Sequence, residues 1–345
     1  MTTIKDVARH VGLSVTTVSR ALNDFDDVSE ATRARVRAAA ETLDYHPNAV
    51  ARRLQRRHSS TIGLMIPLVL HRSFDIFWLE FIGGVAAACS QRGVDLLVAT
   101  ADAHDDVGQG LHGLTRGSRV DGLLVCDIRQ SDPRIAYLQR HRFPFVAFGR
   151  TTERQDYPYI DVDGAAGVMQ AMAHLIGLGH RRIAYLGLDP AFGFSHYRFT
   201  GYMQALRNAG LTYDAGLSRV GLSELSAPAA VAEVLGLPDP PTAVIAAADF
   251  LAQAVLKAAR ALGLAVPGDL SIVVFDDSPL VQHAEPPLTA IHQPNTRLGE
   301  EAAGLLLDRV AGPDSPLVQR LVVPSLIVRD STAPPREPPA HSSAY

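Results

Sequence analysis

Ile4-Lys5-Asp6-Val7-Ala8-Arg9-His10-Val11-Gly12-Leu13-Ser14-Val15-Thr16-Thr17-Val18-Ser19-Arg20-Ala21-Leu22-Asn23 contains two short helical patterns split by a glycine. Ile4, Val7, Ala8 and Val11 recur at i, i+3, i+4 and i+7, which predicts one apolar helical face. Gly12-Leu13 interrupts that face. Ser14 is a good N-cap for a second helix from Val15 to Leu22, and Asn23 with the acidic residues after it ends that helix. Ser29 caps a third helix with Val36, Ala39, Ala40 and Leu43 inward. Such a helix-turn-helix presents the start of its second helix to the DNA major groove. Val15, Thr16 and Arg20 are exposed at that end. Arginine pairs bidentately with guanine, threonine hydrogen-bonds or touches a thymine methyl, and valine offers apolar contact. Thr3, Ser14, Thr17 and Ser19 are small hydroxyl residues suited to phosphate contacts, which position without specifying. A three-helix bundle with no ligand is the competing reading. The coincidence of turn, cap and exposed polar tip argues against it.

Beyond this head the chain breaks at His46-Pro47-Asn48. Asn48 can cap the short run Ala49-Val50-Ala51-Arg52-Arg53-Leu54-Gln55-Arg56-Arg57, which is too short to be a stable helix alone in water. From Thr61 the pattern becomes strand and helix in alternation. Apolar runs at 62–69, 96–100, 122–126, 145–148, 183–188, 243–247 and 270–275 are separated by amphipathic segments such as 77–91, 165–178, 198–208 and 250–262. That alternation predicts parallel sheet covered by helices, with ligands at the carboxyl ends of the strands. About 270 residues of it exceed one typical sheet, so two α/β subdomains with a cleft between them are expected. The expected organisation is a head at 1–45, a linker at 46–60, a core at 61–330 and a disordered Pro-, Ser- and Ala-rich tail at 331–345.

Composition narrows the function classes. The 345 residues carry a net charge of −4, yet residues 1–60 hold ten Lys/Arg against seven Asp/Glu, about +3. A small basic head on an acidic body suits a molecule that meets phosphates with one end. No secretory signal or transmembrane run is seen, and the two cysteines, Cys89 and Cys126, fit reduced buried thiols in a cytoplasmic protein. Nucleophile elbows, metalloprotease pairs, Cys-x-x-Cys and dinucleotide-binding glycine motifs are all missing, so neither an enzyme nor a cofactor or metal site is expected. An exported solute-binding protein would need a signal and would have no use for the helical head.

The segment 4–23 with its Val-Ser-Arg-Ala-Leu-Asn stretch, the His-Pro-Asn junction and the Ala-Arg-Arg-Leu hinge together resemble the lactose-repressor (LacI/GalR) family, and the resemblance continues to about Asp330. It implies a helix-turn-helix head on a periplasmic-binding-protein-like core, working as a homodimer on a near-palindromic duplex operator. It implies that Val15, Thr16 and Arg20 carry operator choice. Asn48, Ala51, Arg52 and Leu54 would belong to a hinge that folds on DNA, with Leu54 wedged into the minor groove. It also implies an effector cleft in which Arg198, in Arg-x-x-Gly (198–201), and Asp276, after the strand 272–275, reach the ligand. Asp249 stands where the family has Asn-Asp, but Ala248 replaces the asparagine, and Val274 replaces a common glycine. Phe77 and Trp78 offer aromatic faces for sugar stacking, though core packing accounts for Trp78 equally well. Asp127, Arg129 and Arg150 close strands, each open to a ligand contact or a structural ion pair. Asp132-Pro133-Arg134 with the run 143–150 resembles family members that answer to α-glucosides. A sugar is the expected effector, with a purine or nucleoside, or a sugar phosphate, as alternatives. His180 reads as structural.

Overall fold

The computed structural model describes residues 2–23, 25–45, 59–67, 76–101, 109–117, 119–153, 155–312 and 315–336, in two compact units divided at Ser59–Ser60. The hinge residues Asn48, Ala51, Arg52 and Leu54 lie outside the described residues.

In the first unit α1 (Ile4–Val11), α2 (Val15–Leu22) and α3 (Glu30–Thr42) enclose a core of Val7, Ala8, Val18, Ala21, Val28, Val36, Ala39 and Ala40. Half of these are alanines, so the helices approach closely over a small core. The ends are fixed by polar side chains. The Thr3 N–H and hydroxyl both donate to the Asp6 carboxylate, at 3.0 and 2.6 Å, and these bonds hold its pKa below the ordinary value. Gly12, at φ 65°, ends α1 in the left-handed region that glycine adopts without strain. Ser14 Oγ accepts the Thr17 N–H at 3.0 Å and Ser29 Oγ accepts that of Thr32 at 3.3 Å. Such caps are each worth about 1 kcal/mol.

The second unit holds two six-stranded sheets. The first contains β1 (Thr61–Pro67), β2 (Asp95–Ala101), β3 (Gly122–Val125), β4 (Phe145–Phe148), β5 (Tyr159–Val162) and the late strand β11 (Gln319–Val322), in the spatial order β11-β5-β4-β3-β1-β2, all parallel. The second contains β6 (Ile183–Leu186), β7 (Ser218–Arg219), β8 (Ala243–Ala246), β9 (Ser271–Phe275), β10 (Thr289–His292) and β12 (Ser325–Ile327), in the order β12-β10-β9-β8-β6-β7, with only β12 antiparallel. Strands β3, β8 and β9 are buried throughout, as continuous apolar runs covered on both faces must be. The helices are α4 (Ile76–Gln91), α5 (Gln109–Arg116), α6 (Pro133–Arg140), α7 (Gly164–Gly177), α8 (Gly193–Asn208), α9 (Ala227–Leu235), α10 (Asp249–Ala261), α11 (Pro279–Gln282) and α12 (Asn295–Ala311). Among the described residues no helix is long and apolar enough to cross a membrane.

The chain passes between the sheets three times: from β5 into α7, from β10 into α12, and from β11 to β12. The second passage brings α12 back onto α4, more than 200 residues earlier in the chain. The contact is so close that a methyl group added at Gly84 would overlap the Thr296 carbonyl oxygen, and one at Gly299 the Phe81 carbonyl oxygen.

Residues 331–336, expected to open a disordered tail, are packed against the second sheet. Ser331 is fully buried: its hydroxyl donates to the Ile272 carbonyl at 2.6 Å and accepts the Thr289 N–H at 2.8 Å. The Ala333 carbonyl takes a bond from buried His180, and Arg336 pairs with Asp269 at 2.5 Å. A hydroxyl that completes the hydrogen bonding of two strand ends outweighs the low apolar content of the segment. His180 also bonds Thr242 and Ser271, so it is an internal brace of the second sheet.

Gly299→Ala is expected to overpack the α4–α12 contact and cost about 1–3 kcal/mol. The variant's thermal midpoint, compared with that of Gly304→Ala, where a methyl meets open space, checks this. Equal midpoints would contradict the close-approach account.

Candidate functional site

The residues expected to read bases lie on α2, Val15 and Thr16 in its first turn and Arg20 in its last. Thr16 is exposed and Val15 is 40% exposed, while Val18 and Ala21 on the opposite face are buried. Arg20 leaves the same outer face. Its guanidinium pairs with Asp27 at 2.5 Å and stacks over Phe25 with 4.9 Å to the ring centre. Both partners sit in the turn after α2. Thr3 and Ser14, expected as phosphate contacts, already serve as caps, and Ser14 Oγ also bonds Thr17 Oγ1 at 2.8 Å. A capping hydroxyl keeps a free lone pair or proton, so capping does not exclude a phosphate contact.

The second site is a cleft of about 470 Å³ where the carboxyl ends of both sheets face one another. Strand polarity puts it there, since the residues that follow β3, β4, β8 and β9 all emerge at that face. Two of them are non-glycine residues on left-handed backbone: Asp127 after β3, at φ 49°, and Asp276 after β9, at φ 82°. Such conformations cost of order 1–3 kcal/mol each and cluster at functional sites. The two aspartates come from opposite subdomains, and both line the cleft. Gln293, on the passage from β10 to α12, donates its amide to Asp276 Oδ1.

Apolar walls surround these groups. Phe77 and Trp78, in the first turns of α4, form an aromatic cluster with Phe81 and Phe148; Phe81 and Phe148 centre 4.5 Å apart. Across the cleft stand Phe194, Phe250 and Phe275. Arg198 lies five residues into α8 rather than at its start. It is buried, donates Nη1 to the Ala247 carbonyl at 2.9 Å and lies 3.5 Å above the Phe275 ring centre. Gly201 explains the Arg-x-x-Gly spacing: a methyl there would overlap the Ala165 carbonyl, so the glycine lets α8 lie against the start of α7. Ala248 supplies no side-chain cap to α10, and Asp249 in the first turn places its charge at the positive end of that helix.

Of the eight expected effector residues, Phe77, Trp78, Asp127, Arg198, Asp249 and Asp276 line the cleft. Arg129 and Arg150 do not. The Arg129 N–H donates to Asp132 at 3.1 Å and the residue pairs with Phe192 in an isolated bridge. Arg150 donates Nε to Asp161 at 3.0 Å and covers the Tyr197 ring. Asp132-Pro133-Arg134 is a brace: Asp132 caps α6, and Arg134 Nη2 donates to the carbonyls of Cys126 and Asp127, each at 3.0 Å, holding the strand end that carries Asp127. Sequence reasoning missed Asp161, Glu224, Gln253, Lys257 and Gln293, which also line the cleft. Asp161 carried a faint signal, an acid inside the apolar run Tyr159–Val162. Burial pushes its carboxyl up to about 7, against the pull of Arg150 and a bond from the Val162 N–H.

Comparison with known proteins agrees with this architecture. Residues 3–48 match the model of bacterial regulatory proteins of the lacI family, and residues 172–332 match a periplasmic binding protein-like domain. The chain is 36% identical over 336 residues to the HTH-type transcriptional regulator CelR of Thermobifida fusca, covering 95% of this chain and 98% of the relative. It is 34% identical to the transcriptional repressor CytR of Escherichia coli, covering 96% of each. Among solved structures it resembles a CelR–cellobiose complex, with a TM-score of 0.73 at 34% identity over 96% of this chain and all of the other. It also resembles the lac repressor dimer bound to operator and an anti-inducer, with a TM-score of 0.82 at 26% identity over 96% and 99%.

The raised carboxyl of Asp161 fixes a pH dependence. Between the ordinary value of 3.8 and about 7 the folded protein keeps a proton that the unfolded chain has released. This group's contribution to stability therefore falls as pH rises through that window and is flat above it. Thermal denaturation of the wild type and Asp161→Asn from pH 4.5 to 8 is expected to show the wild-type midpoint falling relative to the variant up to about pH 7. A pH-independent difference would contradict the assignment.

Proposed function

The chain belongs to the lacI family of bacterial regulatory proteins, and from that premise we propose that it is a transcriptional repressor whose operator affinity is set by a neutral sugar of disaccharide size bound in the cleft. The observation that carries the choice of ligand is the composition of the lining. Aromatic faces from both subdomains surround five carboxyl groups, Asp127, Asp161, Glu224, Asp249 and Asp276, against two cations, Arg198 and Lys257. Carboxylates accept hydrogen bonds from hydroxyl groups, and aromatic faces receive the apolar faces of sugar rings. An excess of acid repels a phosphate ester, so the sugar phosphate falls behind the sugar. The volume has room for two linked rings, in keeping with cellobiose in the similar CelR complex. Of the stretch behind the α-glucoside lead, Phe148 and Gly149 line the cleft while Asp132 and Arg134 brace a strand, so an α-linked disaccharide stays among the candidates.

The regulator acts as a homodimer on a near-palindromic duplex. Two α2 helices read the half-sites through Val15, Thr16 and Arg20, and the hinge at 46–60, with Asn48, Ala51, Arg52 and Leu54, contacts the centre. The ligand shifts the balance between open and closed arrangements of the two subdomains, and this balance is coupled to DNA affinity.

Two experiments test the reading. Thermal denaturation is measured with cellobiose, maltose, glucose 6-phosphate and adenosine. A ligand at about 100 times its dissociation constant adds about 2.7 kcal/mol of stability. A neutral disaccharide is expected to raise the midpoint, and Asp276→Asn, which keeps the fold and an acceptor for Gln293, is expected to lose most of the rise. A rise with adenosine or the phosphate ester alone would overturn the sugar. For the head, Arg20→Ala is expected to weaken binding to a duplex selected by the wild-type protein by about 1–3 kcal/mol and to relax one base position. Unchanged base preference would remove Arg20 from the reading surface.

A further inference from the structure

Along one flank of the cleft, segments from the two subdomains are joined by hydrogen bonds. The loop after β3 and the segment after β6 form a short antiparallel bridge. The Gln130 N–H donates to the Ala191 carbonyl and the Gly193 N–H to the Ile128 carbonyl, each at 2.8 Å. Gln130 Nε2 donates to the Pro190 carbonyl at 2.7 Å. The loop after β4 joins the same patch: the Thr152 N–H donates to the Gln130 carbonyl at 3.0 Å. Tyr197 of α8 donates its hydroxyl to the Thr151 carbonyl at 2.8 Å and accepts from Gln155 Nε2 at 3.1 Å. The Arg150 guanidinium lies 3.9 Å from the Tyr197 ring centre while its Nε holds Asp161. The fit is tight enough that a methyl group at Gly193 would overlap the Arg150 carbonyl oxygen. The same helix carries Phe194 and Arg198 into the cleft.

We propose that this patch is a clasp locking the two subdomains along one flank of the cleft, and that Arg150 and Tyr197 are positioning residues tying the Asp161 carboxyl, on the cleft wall, to it. Every bond in the clasp that joins the two subdomains breaks when they part, so its strength enters directly into the balance between closed and open forms. A ligand hydroxyl bound at Asp161 competes with or reinforces the Arg150 contact. It thereby reaches the clasp without touching it. Arg129 and Arg150, which look like ligand contacts in the sequence, take part in this connection instead. The proposal deepens the cleft reading, but its test uses no ligand. A sugar that fails to bind would sink the proposed effector and leave this measurement standing.

The test is native-state hydrogen exchange of the full chain, read by mass spectrometry. Tyr197→Phe keeps the ring beneath Arg150 and removes both hydroxyl bonds. It is expected to speed exchange in peptides covering 128–131 and 191–194 roughly three- to tenfold and to leave the central strands β8 and β9 unchanged. Gln130→Ala, which removes the side-chain bond to the Pro190 carbonyl and the long one from Thr152 Oγ1, is expected to act on the same peptides. Arg150→Ala is expected to do so too, with Arg150→Lys restoring part of the protection through its charge on Asp161. Unchanged exchange at the clasp in Tyr197→Phe and Gln130→Ala would overturn the proposal. So would a uniform rise across both sheets, or Arg150→Lys behaving like Arg150→Ala.

Discussion

The common direction of the strands is the constraint on which the rest of this molecule depends. Because the first sheet is parallel throughout and the second is parallel but for one edge strand, every βα connection on one side of a sheet emerges at the same face. Two such faces turned toward each other bring together Asp127, Phe148, Asp249 and Asp276 from four separate strand ends. The buried strands β3, β8 and β9 are almost wholly apolar, so they bring polar groups to the cleft where they stop, whereas β5 brings Asp161 from within. The cleft is the meeting place of those stops. Its backbone strain at Asp127 and Asp276 is supported by the surrounding order: Arg134 holds the first by its carbonyl and Gln293 the second by its carboxylate.

Much of this is legible in the sequence because it is local. The three helices of the head follow from four apolar spacings and two serine caps, all within 45 residues. The strands at 122–125, 145–148, 183–186, 243–246 and 271–275 declare themselves as unbroken apolar runs. Acids directly after such runs mark Asp127 and Asp276. What the sequence hides is non-local. Helix Asn295–Ala311 belongs beside Ile76–Gln91 through paired glycines that carry no periodic signal. Asp161, Glu224, Lys257 and Gln293 come to the cleft from a strand interior, a loop, a helix and a crossover, and no single sequence pattern joins them. Arg129 and Arg150 follow strands just as Asp127 does. Arg129 is tied by its backbone to Phe192, and Arg150 by its side chain to Asp161, partners that no spacing rule connects to them. Ser331 opens a Pro-, Ser- and Ala-rich stretch that reads as tail, whereas its hydroxyl closes the hydrogen bonding of two strands.

The head and the core use the same device at different scales. In the head, Arg20 is held ready by Asp27 and Phe25. In the core, Arg198 is held by the Ala247 carbonyl and the Phe275 face. In both cases a long charged side chain lies against an aromatic face and an oxygen acceptor, which restricts its conformational freedom. The proposed regulation couples the two through how the subdomains sit about the cleft.

The most direct test of that coupling is the operator affinity of the full chain, measured by fluorescence anisotropy on a duplex it selects. It is measured with and without the disaccharide that gives the largest thermal shift. Coupling free energies of about 1–3 kcal/mol predict a change of roughly 5- to 150-fold, lost in Arg198→Ala. A disaccharide that binds the cleft tightly and leaves operator affinity unchanged would contradict the account.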